Sequence, residues 1–186
     1  MQLRRLAATT VVAVAAATSL TACGSEEEPT AGTTEGVYVN TGDLKYQVQI
    51  SRQLNAKDFE DRDYLTGLPA GESLEPGQEY FAVFMRVFNT TKSDHPAASQ
   101  FVIRDTTGKE YKPIAIDTNI NRTAYRAAVV HGGDQIPVPG SLARENLTQG
   151  GLILFKVENS SYASRPLELN ITPPEGGKSA TVDLDV

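Results

Sequence analysis

The sequence predicts an all-β chain folded as one antiparallel sandwich. Short apolar runs with a two-residue period recur over residues 37–186, broken by Gly, Pro and Asn turn signals. No helical periods of about 10–15 residues alternate with them, which argues against a parallel α/β sheet. The 186 residues, 40% of them hydrophobic, are enough for one ordinary domain and too polar for a multispan membrane protein.

The first element is not part of that domain. Arg4 and Arg5 open the chain, and residues 6–22 carry no charge and are dominated by Ala, Val and Thr. Seventeen such residues fall short of the roughly 20 strongly apolar ones that cross about 30 Å of hydrocarbon. A basic start, an apolar middle and a small-residue end describe an export signal. It ends in Leu20-Thr21-Ala22-Cys23, which resembles the lipobox of bacterial lipoproteins. The chemistry explains the residue types. A thiol can be converted to a thioether with a diacylglycerol, and small residues before it admit a membrane-embedded peptidase. The resemblance implies cleavage between Ala22 and Cys23 and acylation of Cys23, so that the protein is a lipid-anchored lipoprotein (palmitate being a typical acyl group) at the extracytoplasmic face of the cell membrane. Cys23 is the sole cysteine, so no disulfide framework forms within the chain.

Loss of residues 1–22 removes Arg4 and Arg5 and moves the formal charge from −6 to −8. An acidic surface is poorly suited to nucleic acid, which requires cations to displace counterions from phosphate. Anionic headgroups repel it weakly, so attachment falls to the acyl chains, at ~0.8 kcal/mol per buried CH₂. Residues 23–36, rich in Gly, Thr, Glu and Pro, contain no large apolar side chain and read as a flexible tether.

The domain is expected over residues 37–186. Tyr46, Val48 and Ile50 alternate with Lys45, Gln47, Gln49 and Ser51 as one strand. Residues 80–88 are nearly continuous aromatic and β-branched positions and predict a central strand. Phe101, Ile103 and Asp105, the turn Thr106-Thr107-Gly108-Lys109, and a return through Tyr111 and Ile114 predict a hairpin. Residues 151–157 form a second strongly apolar strand. Two alternating strands follow, through Leu167, Leu169 and Ile171 and through Val182, Leu184 and Val186. The stretch 115–147 is ambiguous, and 123–130 fits either a helical turn or a strand.

The order of these motifs resembles a group of bacterial extracytoplasmic domains of telokin-like or immunoprotective-antigen-like type. The resemblance rests on Asn89 closing the long apolar strand, the run from Phe101 to Tyr111, and the segment from Leu147 through Gln149-Gly150-Gly151 to Phe155. It covers roughly residues 37–172. It implies an immunoglobulin-like sandwich in an anchored or secreted protein, with no assigned catalytic residue or cofactor, and a role in interaction.

Candidate chemistry is sparse. Asp58, Glu60, Asp61 and Asp63 place four carboxylates within six residues, but the spacing is not that of an EF-hand and Arg62 sits among them. A solvated acidic loop at 58–63 is the expectation. His95 and His131 lie in loop-like sequence far apart, without the ligand spacing of a zinc site, and read as polar turn residues. Met85 is buried in a strand pattern and does not suggest copper handling. No Gly-x-Ser-x-Gly, Ser-x-x-Lys or phosphate-loop pattern occurs, and Gly140-Ser141 lacks the strand-to-helix context of a nucleophile. Asn-x-Ser/Thr sequences at Asn89, Asn121, Asn146, Asn159 and Asn170 read as a Thr/Ser-rich surface. The reading is therefore a non-enzymatic envelope interaction module that binds a protein or polymer through loops or a sheet edge. The alternative is a small-ligand or metal-ion lipoprotein using residues 115–147, which are long for plain connection.

Overall fold

The computed structural model describes residues 29–186. The expected export signal 1–22 with Leu20, Thr21 and Ala22, and the expected acylation site Cys23, lie outside the described residues. The strands are β1 (Ala31–Gly32), β2 (Tyr38–Thr41), β3 (Leu44–Leu54), β4 (Gln78–Phe88), β5 (His95–Pro96), β6 (Gln100–Arg104), β7 (Glu110–Tyr111), β8 (Val129–Val130), β9 (Gln135–Ile136), β10 (Gly151–Glu158), β11 (Leu167–Thr172) and β12 (Ala180–Leu184). Two short helices, α1 (Phe59–Tyr64) and α2 (Leu142–Glu145), and a 3₁₀ turn at Asn159–Ala163 complete the set.

These form an all-β, immunoglobulin-like sandwich. One sheet runs β1-β12-β11-β6-β7 and the other β10-β4-β3-β2, with β9 beside the end of β4; β5 and β8 make a separate ribbon. The pairing is antiparallel except for β1, which runs parallel to β12. Phe81, Val83, Met85 and Phe155 from one sheet meet Ile103, Leu169, Ile171 and Val182 from the other in the main core. The alternate residues of the same strands are buried as well. Tyr80, Ala82, Phe84, Leu152 and Leu154 form a second cluster on the outer face, with Leu54 and with Tyr64 of α1, packed against Ile114 and Ile116. A sheet covered on both faces needs apolar side chains at consecutive positions, which accounts for the unbroken runs in β4 and β10.

Three expectations are corrected. Residues 29–36 are folded onto the sandwich instead of belonging to the tether. Ala31 and Gly32 pair with Thr181 and Val182, and the Glu35 carboxylate accepts from the Ser51 amide (2.9 Å), the Ser51 hydroxyl and the Asp185 amide (3.1 Å). Composition concealed this, because backbone pairing and one carboxylate, not apolar side chains, hold the segment.

The alternation in β3 also breaks. Gln49 is a bulge residue between Val48 and Ile50, which turns every later side chain to the opposite face. Ile50 is therefore 38% exposed and Ser51 only 5%. Glu35 satisfies the hydroxyl that the bulge turns inward.

Finally, the acidic stretch 58–63 is not a solvated loop. Asp58 caps α1 by accepting from the Glu60 amide at 2.9 Å. Asp61 is buried and accepts from Arg52 Nη2 at 2.6 Å and from the Asn55 amide at 2.7 Å. Burial alone would push the Asp61 carboxyl up. The Arg52 and Asn55 hydrogen bonds and the Arg52 charge outweigh it and hold the group below the ordinary carboxylate range.

Candidate functional site

Residues 113–147 form a belt across the β10 side of the sandwich. The Ile114 amide donates to Leu154 O at 2.7 Å, Leu152 N to Thr123 O at 2.8 Å, and Tyr125 N to Leu152 O at 2.8 Å. The belt thus occupies backbone groups that β10 would otherwise present to solvent. Val129 and Val130 then pair with β5, and Gln135 and Ile136 with the end of β4. The expected helical turn or strand at 123–130 is neither, apart from β8. It is extended chain stitched to β10 and β5.

Two buried asparagines fix the belt. Asn121 Nδ2 donates to the carbonyls of Tyr64 (2.9 Å) and Thr66 (3.1 Å), while its Oδ1 accepts from the Thr123 amide (3.0 Å) and hydroxyl (2.6 Å). Asn89 Nδ2 donates to the carbonyls of Ser93 (2.7 Å) and Val130 (2.8 Å), and its Oδ1 accepts from the Thr91 amide (2.9 Å) and hydroxyl (2.7 Å). Asp105 repeats the device in the β6–β7 turn. Its Oδ1 accepts from the Thr107 amide (2.9 Å) and hydroxyl (2.6 Å) and from the Lys109 amide (3.0 Å), and its Oδ2 accepts from Ser161 Oγ (2.7 Å). The Asn-x-Thr sequences at 89 and 121 are therefore internal turn locks, not a polar surface. The signal was present: an Asx residue two before a Thr is the pattern of a turn closed by its own side chain.

Between two parts of the belt, residues 122–128 and residues 136–143, lies a cleft of about 350 Å³. Gly151 and Tyr125 are in close contact in its lining: a Cβ on Gly151 would lie 3.0 Å from Tyr125 Cα, so a larger residue there requires Tyr125 to give way by a few tenths of an ångström. Tyr125 is held by an edge-to-face contact with Phe101 (5.3 Å, 89°) and donates its hydroxyl proton to Ala98 O at 2.8 Å. Burial, with a smaller contribution from the neighbouring Tyr46, raises the Tyr125 phenol well above its ordinary pKa, so it stays protonated. Ile136, Pro137 and Ala143 give the wall its apolar character, and Val138 and Leu142, 59% and 55% exposed, form its rim.

The polar groups of the cleft are few. Arg122 and Arg126 both line it, and no Asp, Glu or His does. Arg126 donates to Thr118 O. Among the described residues no carboxylate or acceptor pairs with Arg122. Ser141 Oγ donates to Val138 O at 2.7 Å. The arrangement can hold a ligand, but it offers no proton acceptor or activated nucleophile.

The histidines end up closer than their sequence separation suggests. β5 and β8 pair His95 with Val130, the neighbour of His131. His131 Nδ1 lies 2.8 Å from Asp94 Oδ2; this hydrogen bond raises the His131 pKa and lowers that of Asp94. His95 Nδ1 is 3.7 Å from Asp43 Oδ2, and its Nε2 is 3.1 Å from Thr91 Oγ1. Among the described residues no three His, Cys, Asp or Glu side chains gather as metal ligands.

No protein-family model and no curated protein matches the sequence. Solved structures match the fold. The yjhA protein of Bacillus subtilis aligns with a TM-score of 0.55 at 10% identity, over 82% of this chain and 99% of its own. MPT63, a secreted protein of Mycobacterium tuberculosis, gives 0.52 at 16% identity over 84% and 98%. The Bacillus subtilis lipoprotein candidate ycdA gives 0.50 at 14% identity over 80% of this chain and 38% of that one. At these identities the likeness establishes the sandwich.

Proposed function

We propose that this protein is a lipid-anchored, extracytoplasmic binding module without catalytic chemistry, and that the 122–143 cleft is where it binds. The observation that carries the reading is the composition of the cleft: apolar walls, two arginines, and no group able to accept a proton. Its volume lies within the roughly 300–1,000 Å³ of ordinary ligand pockets. The anchor is supported by the signal and lipobox-like sequence ending at Cys23, and export agrees with a sandwich shared with a secreted protein.

An amide NMR screen of small fragments, neutral and charged, tests the cleft. Shifts are expected at residues 122–128 and 136–143. If no fragment at millimolar concentration moves those amides, the cleft reading is lost.

A second reading, docking of an envelope protein or polymer by strand addition, keeps one specific support. The belt covers β10, but β2 ends the same sheet, its edge met by Pro29 only at the Asn40 amide, with an exposed Tyr38 packed edge-on against Phe88 at 5.5 Å. Cross-linking from Tyr38 in intact cells should then capture a partner, and a clean result there removes this reading.

A further inference from the structure

Five of the ten large apolar side chains that are exposed among the described residues fall within 120–147: Ile120, Val129, Val138, Leu142 and Leu147. Val138 and Leu142 of these line one cleft, and exposed aliphatic groups on the rim of an apolar cleft mark a place where something apolar is covered in the working state. The same cleft holds Arg122 and Arg126 without a carboxylate, on a chain whose acidic residues outnumber its Lys and Arg by 23 to 17. Acidic residues are in excess, yet two arginines line this cleft and neither is paired with a protein carboxylate among the described residues. The complement to such a surface is a molecule with an apolar body and an anionic end.

The position of the cleft adds a third observation. Asn40, Lys45, Phe88 and Gln135 lie in one row across the sheet, and the Asn40 amide donates to Pro29 O at 2.8 Å. Pro29, where the described chain begins, and the cleft wall at Ile136 therefore sit at the same end of the sandwich. About three strand spacings, roughly 14 Å, separate Asn40's strand from β9. Between Cys23 and Pro29 lie only residues 24–28, so an anchored chain could extend no more than about 22 Å from acylated sulfur to domain. The cleft would open on the half of the molecule nearest the bilayer, within reach of single lipid molecules.

We infer that the cleft binds an anionic amphiphile with one apolar chain, of the fatty-acid or alkyl-phosphate class. The chain lies along Val138, Leu142 and Ala143, and the anion rests on Arg122 and Arg126. This deepens the binding-module reading and rests on the same cleft.

Isothermal titration of the full chain carrying Cys23→Ser, which removes the acylation site without altering any described residue, tests it. The probes are laurate, dodecyl phosphate and the uncharged dodecyl maltoside, each below its micelle concentration. Both anions should bind one to one, at least about tenfold more tightly than the maltoside, since charge-assisted bonds to arginine exceed neutral ones by that margin. Arg122→Gln with Arg126→Gln should remove the preference for anions while leaving the thermal midpoint unchanged. Leu142→Asp, at an exposed rim position, should weaken all three probes. Equal affinity for charged and uncharged probes, or an anion preference that survives the double substitution, overturns the inference while fragment shifts in the cleft would keep the wider reading. Laurate that fails to bind, binding only to intact anionic vesicles, or a dimer that Leu142→Asp dissolves, overturns it as well.

Discussion

Asn89, Asp105 and Asn121 perform the same task at three turns, each accepting from the amide and hydroxyl of the threonine two residues on. Asn121 also spans from the belt to the end of α1, so truncating it leaves two carbonyls, an amide and a hydroxyl without partners. Asn121→Ala should cost about 1–3 kcal/mol in urea denaturation, with the loss concentrated in the belt. Asn159→Ala, at an exposed position with the same Asn-x-Ser/Thr sequence, should fall within about 0.5 kcal/mol of wild type. Asp105 carries a pH signature. The Thr107 hydroxyl, the Ser161 hydroxyl and the Lys109 and Thr107 amides together hold its carboxyl down to about 2 against the opposing effect of burial. A depressed folded pKa stabilises the protein fully above the unfolded value, near 3.9, and that contribution is lost as pH falls towards 2. Acid unfolding followed by circular dichroism should show this loss, and Asp105→Asn should flatten the curve between pH 4 and 2. The sequence displayed these Asx-x-Thr patterns openly. Those at Asn89 and Asn121 read as surface because local sequence does not reveal that a turn is covered by another segment.

Elements were legible wherever side chains alone determine them. β4, β10, β11 and β12 form where apolar alternation or a continuous apolar run placed them, and the β6–β7 hairpin forms with a return that ends at Tyr111, Ile114 bonding instead to Leu154 of β10. β1 and the second half of β3 were not legible, because a bulge and a two-residue parallel pairing are set by the backbone. Glu35 joins these two departures, holding Ser51 on one side and the Asp185 amide on the other. Glu35→Ala should leave global stability within about 1–2 kcal/mol and speed amide exchange at residues 31–36 well before the core opens. Uniformly slow exchange in that variant would show that backbone pairing alone holds β1. The candidate cleft was visible only as a location. The length of 115–147 marked it, but its two arginines lie on a segment whose path depends on contacts with β10, α1 and β5.

For the whole molecule, the sandwich and its two-faced second sheet follow from the sequence, whereas the boundary with the tether does not. The proposed anchor has a direct check. Intact mass spectrometry of protein extracted from its host should show a chain beginning at Cys23 with added diacylglycerol and acyl mass, and Cys23→Ala should be recovered from the medium. An unprocessed Met1 terminus would refute both the signal and the acylation. The parallel alignment of β1 with β12 has a mechanical consequence. A pull applied through the N-terminus along β1 is passed to β12, deep in chain order, and loads their shared hydrogen bonds together in shear instead of unzipping them singly. The Glu35 carboxylate stands behind that joint as a second catch. A load entering through the N-terminus would therefore be carried by the seam between the two ends of the described fold before it reaches the cleft.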